Sequence, residues 1–353
     1  MKDISIKRFV WIDYLRCVAI ICVILCHVTE TTVSLSIDNY FDISSDYNIP
    51  LVFFAIGRIG VPFFVLITGF LLLDRAYNKE KRISFWNKRV IHLFIIVEIW
   101  LTIYFFWYRF YEKTPISIGD YIKEMLFLRK CDMGHMWYMS MILGLYIFIP
   151  FVSIILHNVE MNHIIFIWGI CVAYSFGIPT LNIIMNILNR ENVSMQLSLE
   201  FGGGVFGCYL LAGYLIKKGL LKKIRNSILI LFTFVCIALL CVLEVLSYRN
   251  GITYNAWYDC IFLLIIGMCL FEFCSRLELK SNRVIEFGAK YSFGVYLTHN
   301  MVRSFIMKNI VFDNVNKIVM IVIYEILVIV ISYIVTYAIS KIPKIGKYIL
   351  YIK

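Results

Sequence analysis

The sequence predicts an all-α integral membrane protein of about ten transmembrane helices with both termini in the cytoplasm. Three observations predict it. Of 353 residues, 61% are apolar and only 16% are charged, against roughly 25% charged in soluble domains. The apolar residues come in runs close to the about 20 that a helix needs to cross bilayer hydrocarbon. The Lys and Arg residues between those runs gather on one side of the implied membrane. A water-soluble domain cannot hide this much apolar surface. A soluble enzyme, a disordered chain and a secreted disulfide scaffold are therefore excluded. No stretch remains for a separate soluble domain of about 100 residues. The chain reads as one multipass domain over 1–353, with no fused soluble domain, in the plasma (inner) membrane.

Taken in order, the predicted spans are 9–28, 51–73, 90–108, 137–156, 164–185, 202–216, 227–246, 257–274, 291–312 and 318–340. The first follows Lys2, Lys7 and Arg8 as a signal peptide would, yet it contains Asp13 and Arg16 and lacks a small-x-small cleavage site. It reads as a retained helix. The second holds Arg58 beside Gly60 and Pro62, which allow local backbone irregularity. The sixth is short and Gly-rich (Gly202, Gly203, Gly204, Gly207, Gly213), so its backbone can approach neighbours closely. Between spans, 74–89 carries Arg75, Lys79, Lys81, Arg82, Lys88 and Arg89, while 29–50 carries Glu30, Asp38, Asp42 and Asp46 with no Lys or Arg. Summed over alternate segments, the N-terminal side holds more than twice as many basic residues as the other. The net charge of +11 is thus mainly a topology signal, and nucleic acid is not an expected partner. The eleven Cys show no CxxC pair or metal spacing, and most lie inside apolar runs as inert buried thiols. No metal is expected.

Ionisable residues inside spans are costly and usually face a cavity or a partner. Here they are Arg16, His27, Arg58, Glu98, Glu244, Asp259, His299, Arg303 and Glu325. Glu244 and Asp259 sit near helix ends, where they can snorkel. Arg16 and His27 are eleven positions apart, so they share a helix face about 16 Å apart along the axis. Asp13 is one turn before Arg16, within reach of an ion pair. A polar stripe on such an apolar helix lines something wet; a topology-setting Arg with an interfacial His is the alternative. Arg58 cannot readily lose its proton, so it needs an anion or an aqueous pocket; a structural ion pair with Glu98 or Glu325 is the alternative. In the ninth span, Ser292, Tyr296, His299 and Arg303 step by four, three and four and share one face. The loop 74–89 with His92 forms a basic entrance suited to phosphates, or to anionic lipid headgroups. His135, Trp137 and Tyr138 stand at an interface, where Trp and Tyr are ordinary belt residues.

Four of these pieces, in this order, resemble the acyltransferase 3 family of membrane O-acyltransferases. WIDYLRCVAIICVILCH resembles its first helix, with Arg16 and His27 separated by ten residues. RIGVPFFVLITGFLL is similar to its second helix, HMWYMSMILGLYIFIP to its Trp-Tyr motif, and YSFGVYLTHNMV to its late Tyr-Leu-x-His motif. The family's basic motif at the third helix, two Arg separated by two residues, is met by NKRVIH, so His92 stands in the second position after Arg89. The resemblance implies transfer of an acyl group, usually acetyl from acetyl-CoA, to a hydroxyl of a cell-envelope carbohydrate. In that reading His27 is the general base and His299 a second candidate. Arg16, fixed by Asp13, orients the donor or holds the deep end of the cavity. Arg82, Lys88, Arg89 and His92 hold the acyl-CoA, and Arg58 holds its thioester region or stabilises the developing oxyanion. Arg303, Tyr296, Trp137 and Tyr138 meet the acceptor. A transporter or flippase of an envelope glycan precursor needs a similar Arg- and His-lined path and is the competing class; no paired discontinuous helices in the two halves speak for it.

Overall fold

The computed structural model describes residues 8–35, 48–129, 134–194, 197, 199, 203–252, 257–312 and 315–352. Asp38, Asp42 and Asp46 of the acidic loop lie outside them. The described residues form helices and connecting turns, with no strand among them. Each predicted span falls on helical structure. Seven helical stretches are long and apolar enough to cross a membrane: Val10–Thr32, Asn48–Leu72, Lys79–Glu112, Gly134–Asn158, Met161–Ile187, Asn226–Arg249 and Lys317–Ser340. The helices Gly204–Lys217 and Ile261–Ser275 are apolar but shorter. The ninth predicted span lies within Arg283–Asn309, a 27-residue helix. This is a multipass membrane protein.

Helix α1 (Val10–Thr32) is the axis of the bundle. It touches α2 (Asn48–Gly57), α3 (Gly60–Leu72), α12 (Ile261–Ser275), α13 (Arg283–Asn309) and α14 (Lys317–Ser340). Its Leu15, Ala19, Ile20 and Ile24 are buried. The second span was expected as one helix over 51–73; the structure breaks it at Arg58 and Ile59 between α2 and α3. The cause is local. Pro62 has no N–H to offer the carbonyl of Arg58 four residues back, so one helical bond is missing there. The third span is longer than predicted. Between α4 (Lys79–Phe85) and α5 (Ile91–Phe106), and again after α5, the helix passes through π turns at Trp86–Val90 and Trp107–Glu112. Lys113, at φ 57, ends it.

The segment after that end does more than connect. Its short helix α6 (Ile118–Met125) runs back along α5. The Tyr121 ring stacks on Phe105 with centroids 4.4 Å apart, the Tyr121 hydroxyl bonds Thr102 Oγ1 at 2.7 Å, and Phe127 reaches Phe94 at 6.2 Å. The chain then enters α7 (Trp137–Asn158), followed by α8 (Met161–Val172) and α9 (Ile178–Ile187), which a π turn at Ala173–Gly177 joins. Helix α10 (Gly204–Lys217) packs against α3, and α11 (Asn226–Arg249) against α12. The outward faces of α7, α8 and α11 carry exposed Phe148, Phe151, Phe166, Phe232 and Phe234, as lipid-facing surfaces do.

The contact of α3 with α10 depends on two glycines. A Cβ on Gly69 would enter the van der Waals shell of the Leu210 carbonyl, and one on Gly213 that of the Leu66 carbonyl. Both obstacles are backbone, so neither can swing away. Small residues that let helix backbones touch are the usual basis of helix association in lipid. Gly69→Ala and Gly213→Ala should each cost about 1–3 kcal/mol, as overpacking does. Gly144→Ala should be tolerated, because nothing lies within 4 Å of its added carbon. Thermal unfolding of the detergent-solubilised protein, read as loss of the monodisperse elution peak, checks the ranking. Equal midpoints for all three variants would refute it.

Candidate active site

Two polar sites sit at opposite ends of α1, with Phe9 beside one and His27 in the other. Eighteen residues of helix separate these positions, about 27 Å along the axis.

The site at the N-terminal end of α1 is a basic mouth. It is a cavity of about 830 Å³ lined by Leu71, Arg75, Lys81, Lys88, Arg89, His92 and Lys217 among others, within the size range of small-molecule and cofactor pockets. Of the expected donor contacts, Lys88, Arg89 and His92 line it; Arg82 on α4 and Arg58, which lies in the second site, do not. Arg89 lies over the face of Phe85, 5.8 Å from its centroid. The His92 ring stacks on Tyr348 at 4.0 Å, and its Nε2 is 3.1 Å from the Tyr348 carbonyl. Asp74 on the rim draws Lys217 (3.3 Å) and Lys218 (2.5 Å). Burial opposes its charge, but the two lysines prevail and hold its carboxyl below the usual carboxylate range. Near this end Asp13, buried, accepts from Arg8 at 2.7 Å and from Arg16 at 3.2 Å, and Arg8 also reaches Glu286 of α13 at 2.9 Å. The structure thus pairs Asp13 with Arg16 and keeps both away from His27.

The site near the C-terminal end of α1 is compact. A Cβ on Gly57 would lie 2.6 Å from the backbone nitrogen of Cys26. This close approach brings the break after α2, and with it Arg58, beside His27. A small cavity of about 20 Å³ is lined by Cys26, His27, Arg58, His135, Trp137, Tyr138, Tyr258 and Tyr296. It has room for about one water. The Arg58 guanidinium is buried over the ring of Phe54 (4.6 Å), with Trp257 and Tyr258 at 5.5 and 5.6 Å, and its Nη1 donates to the Tyr258 hydroxyl at 3.4 Å. Among the described residues Arg58 has no ion pair; aromatic faces solvate it instead of Glu98 or Glu325.

Around this cavity stand three histidines. The His27 and His299 rings are 5.5 Å apart, and those of His135 and His299 are 5.3 Å apart. His27 Nδ1 lies 3.3 Å from Glu30 Oε2, one turn on. A carboxylate only accepts, so this contact puts the proton on Nδ1 and leaves the Nε2 lone pair as the basic site. Arg303 Nη1 donates to the His27 carbonyl at 3.0 Å. His299 Nδ1 donates to the Tyr296 carbonyl at 2.6 Å, and Asn300 Nδ2 donates to His135 Nδ1 at 3.1 Å. The Tyr296 hydroxyl donates to the His135 carbonyl at 2.5 Å. Among the described residues, His135 Nε2, His299 Nε2, Arg58 Nε and Arg303 Nε are buried with no hydrogen-bond partner. Buried polar atoms are almost always paired, so orphans on His135 and Arg58, which line the cavity, and on the adjoining His299 and Arg303 mark a place built for a polar guest. No group of three or more His, Cys, Asp or Glu among the described residues could hold a metal ion.

A line of rings links the two sites. A second small cavity, lined by Val23, Val61, Phe64, Tyr138, Phe293 and Tyr296, shares four residues with the histidine cavity. Phe293 stacks on Tyr296 at 6.3 Å and meets Tyr351, which lines the basic mouth, at 5.8 Å.

The structure therefore brings His27, Arg58, Tyr296, His299, Arg303, Trp137 and Tyr138 together and sets Lys88, Arg89 and His92 apart as a separate mouth. Sequence reasoning missed Glu30, Asn300, Tyr258 and Tyr104, whose ring lies 4.8 Å from that of His135, and gave His135 no role. Some signal was present. Glu30 is one turn from His27, Asn300 adjoins His299, and His135 stands two residues before the Trp-Tyr pair. Tyr104 and Tyr258 had none.

A search of curated proteins and a search of solved structures each found no match. The family model for the acyltransferase domain matches residues 9–340, nearly the whole length. That stretch holds the histidine cluster and the Lys, Arg and His side chains of the basic mouth, and the chain belongs to the acyltransferase 3 family.

Proposed function

We propose that this protein is an O-acyltransferase that moves an acyl group, acetyl in the first instance, from cytoplasmic acyl-CoA to a hydroxyl of a cell-envelope carbohydrate. The observation that carries this reading is the pairing, at opposite ends of α1, of a basic cavity with a His–Arg pocket. Ten helices with both termini in the cytoplasm place the basic mouth on the cytoplasmic side, because the Lys and Arg excess lies there. The plasma (inner) membrane and a single domain over 1–353 complete the reading.

The mouth suits a polyphosphorylated donor. Lys88, Arg89 and His92 supply cationic and hydrogen-bonding groups for phosphates, and the aromatic line offers an apolar path for a thioester arm. Arg16 and Asp13 serve the mouth end in this arrangement, with Asp13 holding Arg16.

Acyl transfer then requires a base. A sugar hydroxyl is a poor nucleophile until its proton is taken. Glu30 holds the His27 imidazole so that Nε2 accepts that proton while the hydroxyl oxygen attacks the thioester carbonyl carbon. The carbonyl π electrons move to its oxygen, and the oxyanion meets the fixed charges of Arg58 and Arg303. Collapse of the tetrahedral intermediate breaks the C–S bond. The CoA sulfur takes the proton from His27, giving CoA thiol and the ester. His299, whose ring stands 5.5 Å from that of His27, is a second base candidate. Trp137, Tyr138 and Tyr296 shape the acceptor side, where an envelope glycan enters from the outer leaflet.

His27→Ala should lower transfer of labelled acetyl from acetyl-CoA to envelope glycan by about 10²- to 10⁴-fold, the usual worth of a general base, while CoA still binds. Mass spectrometry of the glycans reads the loss as one missing acyl group per sugar. Unchanged O-acylation would sink the mechanism, and glycan export with no covalent change would favour the flippase. Arg58→Lys keeps the charge but loses the planar fork, and should cut the rate by about tenfold or more with an unaltered KM for acyl-CoA. Lys88→Ala and Arg89→Ala should do the reverse, raising KM by several-fold at constant kcat; titration at two salt concentrations separates the charge effect, because screening weakens it.

A further inference from the structure

His135 has no part in the transfer steps above, yet the fold holds it on three sides. It sits in the tight turn Gly134–Met136 that leads into α7, and it is buried. The Tyr296 hydroxyl of α13 donates to its carbonyl at 2.5 Å. The Tyr104 ring of α5 meets its ring edge-on at 4.8 Å, and the Tyr104 hydroxyl is itself tied to the Leu297 carbonyl at 2.9 Å. Asn300 Nδ2 donates to its Nδ1 at 3.1 Å.

The last contact places a proton. An amide nitrogen only donates, so the ring nitrogen that faces it must be the bare one. A neutral imidazole then carries its single proton on Nε2. In His135 that atom is buried with no hydrogen-bond partner among the described residues, and the residue lines the small cavity together with His27 and Arg58. The other two rings have the opposite arrangement. Nδ1 of His27 faces the Glu30 carboxylate at 3.3 Å, and Nδ1 of His299 faces the Tyr296 carbonyl at 2.6 Å. Both partners only accept, so both rings keep their lone pair on Nε2. The cluster thus holds two imidazoles able to take a proton and one that offers an N–H.

We infer that His135 is a further catalytic residue of the proposed transfer: its Nε2–H donates a hydrogen bond to the thioester carbonyl oxygen as that oxygen becomes the oxyanion. Asn300 is then the positioning residue that keeps the proton on Nε2. The inference rests on the acyl-transfer reading above. No bond to His135 forms or breaks, and its proton stays on Nε2 throughout. A nitrogen that already bears a proton cannot take another from the acceptor hydroxyl without becoming a third cation beside Arg58 and Arg303, so the donor role is the one its tautomer allows. The two guanidiniums supply charge, and a fixed N–H adds direction. An unpaired buried N–H is costly in the resting pocket. That cost is relieved most fully by a full negative charge, so the contact favours the tetrahedral intermediate over the bound thioester.

The test uses the purified full-length chain, labelled acetyl-CoA and extracted envelope glycan. His135→Phe keeps a flat ring against Tyr104 and removes the donor. It should lower kcat by about 10²- to 10³-fold, the usual worth of one oxyanion donor, with KM for acetyl-CoA unchanged. His135→Gln sets an amide N–H near the former place of Nε2 and should regain about tenfold or more of that loss. Asn300→Leu should lower kcat by about three- to tenfold, the worth of one hydrogen bond, but should have no further effect in the His135→Gln background, because an amide has no second tautomer to adopt. A purely structural Asn300 would lower kcat in both. Side-chain ¹⁵N spectra of the resting parent, with the His135 signals assigned by their loss in His135→Phe, should show the proton on Nε2. A proton on Nδ1 overturns the proposal, as does a Phe variant that turns over like the parent or a Gln variant no faster than Phe. A parent chain that transfers no acetyl is a separate result: it ends the acyl-transfer reading and the role of His135 with it.

Discussion

One constraint organises this bundle: a guanidinium that cannot shed its proton is held in the apolar interior at Arg58. A buried charge without compensation is among the most expensive features a structure can contain. The molecule compensates with the faces of Phe54, Trp257 and Tyr258 and with one phenolic oxygen. Much follows from that arrangement. The second span must break where Arg58 leaves it, and Pro62 secures the break. The residues ahead of α12 must reach across to supply two of the rings. Helix α2 must press against α1 at Cys26, which only a glycine at position 57 permits. The result is a fixed positive charge beside the imidazole of His27, where negative charge would develop in acyl transfer.

The register of α1 against α13 is fixed at both ends by the same kind of contact. At one end Arg8 bridges Asp13 and Glu286. At the other Arg303 donates to the carbonyl of His27. Between these ties the rings of His27 and His299 lie 5.5 Å apart. Farther along α13, Ser304 and Lys308 both donate to Glu112, which caps the third span. Three spans are thereby locked around the pocket by charge-assisted contacts near its rim, where hydrogen bonds to ionised groups are stronger than neutral ones. The apolar middle contributes packing and dryness, and the polar ends contribute alignment.

The helical class and the places of the spans were legible because lipid leaves the backbone few choices, and apolar runs of span length have one reading. The stripe of Ser292, Tyr296, His299 and Arg303 was legible for the same reason: four polar side chains at helical spacing cannot all face hydrocarbon. Other features were hidden by physics that acts across the chain. The partner of Arg58 is Tyr258, two hundred positions away, and aromatic solvation of a cation leaves no local pattern. Glu30 read as a loop acid because α1 continues past the predicted boundary at 28 to Thr32; with that extra turn it lies on the face of His27. The break at Arg58 was foreshadowed by Gly60 and Pro62. The return of α6 along α5 was not, since a short amphipathic run reads equally well as a surface loop. Arg16 and His27 share a face, as their spacing required, but a common face about 16 Å long serves two sites and not one.

The size of the histidine cavity carries a mechanistic consequence. At about 20 Å³ it admits about one water, whereas the thioester carbonyl and sugar hydroxyl of the proposed reaction would need several times that volume. The proposed reaction would therefore require the rings of Tyr138, Tyr296 and Phe293 to separate. Rings that swing on χ1 and χ2 are suited to this, because α1 and α13 need not move and the ties at Arg8 and Arg303 stay closed. The same closure has a chemical use. A thioester exposed to water beside a general base is hydrolysed without profit, and a pocket that opens only around its substrates excludes that side reaction. The narrow aromatic line between mouth and pocket thus reads as a seal as much as a path. Its position in the apolar middle of the bundle lets one set of side chains keep the membrane tight and the acyl group dry.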